Sequence, residues 1–94
     1  MDKQTELLVI TAEECGELTQ AVMKHIRFGD NTESITKEAG DVGCMIALLV
    51  ERGIIDEQEL EHAMSHKRRK LMQWSSLFSA EPVPSSSDVP QEQQ

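Results

Sequence analysis

Two short stretches constrain this chain more than anything else in it: Ala12-Glu13-Glu14-Cys15-Gly16-Glu17-Leu18 and, further along, Lys37-Glu38-Ala39-Gly40-Asp41-Val42. Each sets two carboxylates three residues apart inside an apolar pattern of helical period. At about 100° per residue, Glu14 falls within the stripe of Leu7, Ile10, Leu18, Ala21 and Val22, with Glu17 at its edge and Glu13 further toward water. Glu38 falls likewise within the stripe of Ile35, Val42, Met45, Ile46 and Leu49, with Asp41 at its margin. The pattern predicts two helices that turn Glu14, Glu17, Glu38 and Asp41 inward.

An isolated carboxylate in a packed core costs several kcal/mol, so such a group shifts its pKa, finds a partner or binds metal. Oxygen-only ligation suits Mg²⁺, with Mn²⁺ an acceptable substitute, and paired carboxylates on facing helices can bracket such ions while leaving room for phosphate and water. The competing explanation is that a chain with 17 acidic residues in 94 produces acidic pairs by chance, mostly on solvated faces. That suffices for Glu13 or Glu33, whereas Glu14 and Glu38 would require two helices to misplace a charge at corresponding depth.

The E-E-x-x-E of Glu13, Glu14 and Glu17 and the E-x-x-D of Glu38 and Asp41, on successive helices, resemble the signature of the MazG-like nucleotide pyrophosphohydrolases. The resemblance covers roughly residues 5 to 75. It implies an all-α fold and Mg²⁺-dependent cleavage of a nucleoside triphosphate between its α and β phosphates, giving the monophosphate and pyrophosphate. It also implies that Glu14, Glu17, Glu38 and Asp41 are metal ligands and that Glu13 orients water or accepts its proton. Many such proteins carry a further helix ahead of the acidic one. Here the acidic helix is expected almost from residue 2, so either a neighbouring subunit completes the pocket or base recognition is reduced. The small phosphoribosyl-ATP pyrophosphohydrolases share a similar plan and are the nearest alternative within this chemistry. A non-enzymatic acidic helical module that binds a partner protein or a structural cation is the alternative outside it.

The bounds of the chain agree with a small helical protein. Only Phe28, Trp74 and Phe78 are aromatic, so packing rests on aliphatic side chains and Met. A net charge of −8 argues against a nucleic-acid polymer as partner. Cys15 and Cys44 match neither a disulfide framework nor a zinc motif and read as reduced core or flank thiols. The absence of a leader-like or bilayer-length apolar run predicts a cytoplasmic protein without membrane contact.

Helix boundaries follow from capping chemistry. The first helix is predicted from an Asp2 cap to about Arg27, with Phe28-Gly29-Asp30-Asn31 as stop and turn. Lys24, His25 and Arg27 suit the negative end of its dipole, and His25 reads as a half-buried core histidine. The second is predicted from within Asn31–Ser34 to Arg52, ending at Gly53. Its interior Gly40 and Gly43 cost about 1 kcal/mol each relative to Ala, which predicts close approach of another backbone, with Gly16 serving the same end on the first helix. The apolar circumference from Met45 to Val50 predicts a subunit interface, and hence a homo-oligomeric helical bundle, a dimer or a dimer of dimers.

The third helix is predicted from Asp56, with Glu59 completing a capping box and Ile55 and Leu60 a staple, to about Trp74. Its inner stripe of Leu60, Ala63, Met64, Leu71 and Trp74 is interrupted by Lys67. In the basic run from His66 to Lys70, Lys67 and Lys70 face more nearly inward and are the expected pyrophosphate contacts. From Ser79 onward, Pro, Ser, Gln and Glu dominate, and that composition predicts a disordered tail after a folded domain of residues 1–78.

Overall fold

A computed structural model describes residues 1–29 and 31–78; the tail predicted from Ser79 lies outside the described residues. The described chain is all-helical, with α1 at Lys3–Phe28, α2 at Glu33–Glu51 and α3 at Glu57–Trp74, followed by a short 3₁₀ turn at Ser76–Phe78. It forms two compact units, Met1–Glu57 and the remainder from Gln58.

The first unit is a helical hairpin in which α1 packs along α2. Asp2 caps α1 as expected, its Oδ1 accepting from the Thr5 N–H at 2.7 Å. The helix stops at Gly29, whose φ of 69° is left-handed and whose N–H donates to the His25 carbonyl. A side chain there would strain the backbone. Asn31 Oδ1 accepts from the Glu33 N–H at 2.9 Å, satisfying one free donor of α2, while Thr32, the cap residue itself, makes no side-chain cap bond.

The end of α2 is a Schellman motif. Gly53, at φ 76°, donates to the Val50 carbonyl and Ile54 donates to the Leu49 carbonyl, closing the last turn around the only residue type that takes this conformation without cost.

The core of the hairpin is thin, because two helices can bury only one line of contact. Ala21, Met45 and Leu49 are its buried residues, with Leu7, Ile10, Leu18, Ile35, Val42 and Ile46 half-buried around them. In the apolar run from Met45 to Val50, Met45 and Leu49 are buried, Ile46, Leu48 and Val50 half-buried, and Ala47 exposed.

A Cβ built at Gly16, Gly40 or Gly43 meets nothing within 4 Å, so among the described residues of this chain no backbone makes the close approach expected at these positions. Cys15 and Cys44 are free and exposed, on the flanks of their helices and not in the core.

In the second unit, α3 has no buried residue, with Leu60 and Leu71 half-buried. The cation that interrupts its stripe finds an aromatic partner: the Lys67 ammonium lies 5.7 Å from the Trp74 ring centroid. At the next residue, the Arg68 guanidinium sits 5.0 Å from the Phe78 ring, a contact between the helix and the 3₁₀ turn. Each contact is worth on the order of 0.5–1 kcal/mol at an exposed site.

Candidate metal centre

Glu14 is carried by the middle of α1, and Glu38 and Asp41 by the first half of α2. Because the two helices lie side by side, residues far apart in sequence meet. One carboxylate oxygen from each of Glu14, Glu38 and Asp41 falls within 4.8 Å of the others, and all three residues are half-buried. Three carboxylate oxygens this near to one another are a donor set that a hard divalent cation could share.

An open cavity of about 620 Å³ surrounds the cluster, lined by Glu13, Glu14, Gly16, Glu17, Gln20, Lys37, Glu38 and Asp41. Its size is in the range of small-molecule sites. Glu17 and Glu13 are exposed on its wall. Glu17 belongs to the cavity but not to the close triad, while its charge still reaches Glu14.

The electrostatics follow from this crowding. Partial burial holds the Glu14 carboxyl above its ordinary pKa, and the neighbouring charges of Asp41, Glu38 and Glu17 push it the same way, with Lys37 opposing. The carboxylates are thus too close for comfortable joint ionisation, a condition that a cation among them would relieve.

Lys37 is the residue that sequence reasoning passed over. Its Nζ donates to Asp41 Oδ2 at 3.3 Å and lies 3.6 Å from Glu38 Oε2. These contacts raise the Lys37 pKa, the hydrogen bond to Asp41 being the largest cause. In the sequence, Lys37 and Asp41 show only an i,i+4 pair of the kind found on many solvated helix faces. The signal lay in Asp41 being a candidate ligand, which makes its partner part of the site.

Lys67 and Lys70, expected to face inward on α3, are both exposed. Lys67 is engaged with Trp74. Both belong to the second unit. His25 is half-buried, as expected of a core histidine, and its Nδ1 is buried with no hydrogen-bond partner among the described residues.

The donor set fits a magnesium-like ion: all-oxygen, anionic and open on the cavity side. Comparison with known proteins finds no matching family model, no matching curated protein and no matching solved structure. Among the described residues, no helix is long and apolar enough to cross a membrane.

Proposed function

We propose that this protein is a metal-dependent nucleoside triphosphate pyrophosphohydrolase of the MazG-like kind. The observation that carries the reading is the convergence of Glu14 from one helix with Glu38 and Asp41 from the next, oxygens within 4.8 Å of one another, on the wall of an open cavity. These are three of the four carboxylates that the motif resemblance singles out as ligands, the fourth being Glu17 on the cavity wall.

Glu14, Glu38 and Asp41 would hold Mg²⁺, or Mn²⁺ in its place, with Glu17 reaching it from the cavity wall. The ion would supply charge neutralisation for the polyphosphate and activation of water for in-line attack at phosphorus. Glu13, exposed at the same cavity, is suited to accept the proton of that water. Lys37 already points its ammonium into the cluster and can turn to a phosphate oxygen when a cation takes over Asp41. Lys67 and Lys70 are proposed as further pyrophosphate contacts on chemical grounds, as cations in a chain of net charge −8.

The substrate would be a nucleotide and not a nucleic-acid polymer, and the working unit a homo-oligomer in the cytoplasm. The test is release of pyrophosphate from a panel of nucleoside triphosphates with Mg²⁺, followed with identification of the nucleotide product. The expected products are monophosphate and pyrophosphate. Absence of any release across the panel, with Mn²⁺ also tried, would overturn the reading.

A further inference from the structure

The second half of α3 and the turn after it form a surface unlike the rest of the chain. From His62 to Phe78 there is no acidic residue, while Lys67, Arg68, Arg69 and Lys70 supply four cations in a chain of net charge −8. At about 100° per residue, Met64 and Leu71 share one line of the helix, with Lys67 about 50° to one side of it and Arg68 about 50° to the other. Arg69 falls on the far face with His62, His66 and Gln73. Phe78, from the 3₁₀ turn, joins Ala63, Met64, Lys67, Arg68 and Leu71 in lining an open groove of about 400 Å³. Large apolar side chains continue past that groove, with Met64 64%, Met72 57%, Trp74 63% and Leu77 72% exposed.

We propose that this surface is a docking site for a partner protein, which presents to it an acidic segment folded as an amphipathic helix. The inference does not rest on the metal centre or on the catalytic reading.

Each property of that occupant follows from the surface. A floor of aliphatic and thioether groups calls for apolar side chains, and the flexible Met64 and Met72 can repack around them. Cations on both edges call for carboxylates on both flanks of the apolar stripe. Lys67 and Arg68, lying over the Trp74 and Phe78 rings, stand where such carboxylates would meet them. Met64 and Leu71 are two turns apart, about 10 Å, which matches the i to i+7 spacing of an apolar stripe on a second helix laid alongside.

Size and charge disfavour other occupants. The apolar surface runs past the groove to Met72, Trp74 and Leu77, further than a small molecule would cover. A nucleic-acid polymer is best held by a net basic protein, and this chain is acidic. A helix lying in a bilayer surface carries apolar side chains and cations along its length, whereas α3 opens with Glu57, Glu59 and Glu61.

The test uses the full chain, with its single tryptophan, Trp74, as reporter. The probe is a synthetic peptide of about 14 residues, about 20 Å long as a helix, with Leu on one stripe of helical spacing and Glu on both flanks. It is expected to bind saturably by calorimetry and to shift Trp74 emission to the blue, while a peptide of the same composition in scrambled order does neither. Arg68→Glu is expected to weaken binding about tenfold, and Arg69→Glu, the same charge change on the far face, to leave it near wild type. Both variants spare the lysines proposed as pyrophosphate contacts. Met64→Asp is expected to abolish the shift with helix content by circular dichroism retained, and if that variant fails to fold, the two arginine variants decide. Absence of binding overturns the proposal, as does equal binding of the scrambled peptide. Equal losses in the two arginine variants overturn it too, because they reduce the contact to net charge. It is likewise overturned if phosphatidylserine vesicles shift Trp74 and the peptide does not, or if Trp74 emission shifts with protein concentration alone, since a second copy then fills the groove. Binding of the peptide only after Glu81→Gln and Asp88→Asn also overturns it, since residues beyond Phe78 are then the occupant.

Discussion

Lys37 reaches across one turn of α2 to Asp41, with Nζ 3.3 Å from Oδ2, and so holds a monovalent cation against a carboxylate of the candidate metal centre. Lys37 is 70% exposed, and such a surface pair contributes little to stability. Its consequence is competitive: a divalent ion must share or displace that ammonium.

Lys37→Met is therefore expected to raise the affinity of the substrate-free protein for Mn²⁺ several-fold, read by calorimetric or paramagnetic titration, while Tm in the absence of metal stays close to wild type. A fall in affinity would show that Lys37 instead holds Asp41 in its ligating position.

Glu38→Gln is expected to abolish pyrophosphate release with helix content and Tm largely kept. Glu38 contributes an oxygen to the triad, and its neutral isostere removes a ligand together with part of the repulsion on Glu14. Glu33→Gln, exposed at the start of α2, should leave turnover unchanged. Loss of activity in Glu38→Gln only in proportion to loss of fold would make Glu38 a structural residue.

The raised pKa of Glu14 gives a pH signature. A carboxyl whose folded pKa lies above its unfolded value contributes stability that is fully present below the unfolded pKa and is lost as pH rises through the folded one. Metal-free wild type should accordingly be less stable than Glu14→Gln at neutral pH, and the gap should close as pH falls toward the ordinary value of 4.5. Asp2 is shifted the opposite way by its bond to Thr5, so its contribution is lost at lower pH and is common to both proteins. Thermal melts at a series of pH values check this, and Mg²⁺ should reverse the neutral-pH order by stabilising wild type alone.

Two glycines separate propensity from conformation. Gly40→Ala places a Cβ in open space within a helix and is expected to stabilise the protein by about 0.5–1 kcal/mol. Gly53→Ala forces a side chain into φ 76° and is expected to destabilise by about 1 kcal/mol. Urea denaturation of both variants measures the difference in sign. A destabilised Gly40→Ala protein would show that something packs against that position in the working assembly.

Helix existence, type and ends were legible from the chain itself, because capping and stop signals act over a few residues: Asp2 to Thr5, Gly29 to His25, and Gly53 and Ile54 back to Val50 and Leu49. The inward lean of Glu14 and Glu38 was legible for the same reason, since helical period alone assigns each to its apolar stripe. Periodicity fixes a direction about one helix axis and says nothing of the distance to a residue on another. Only the side-by-side packing of α1 on α2 decided that Glu14 closes on Glu38 and Asp41 while Glu17 stays at the cavity wall. The same packing turned a routine i,i+4 pair into a lysine held at the mouth of an acidic cluster, and among the described residues it sets no backbone of this chain against Gly16, Gly40 or Gly43.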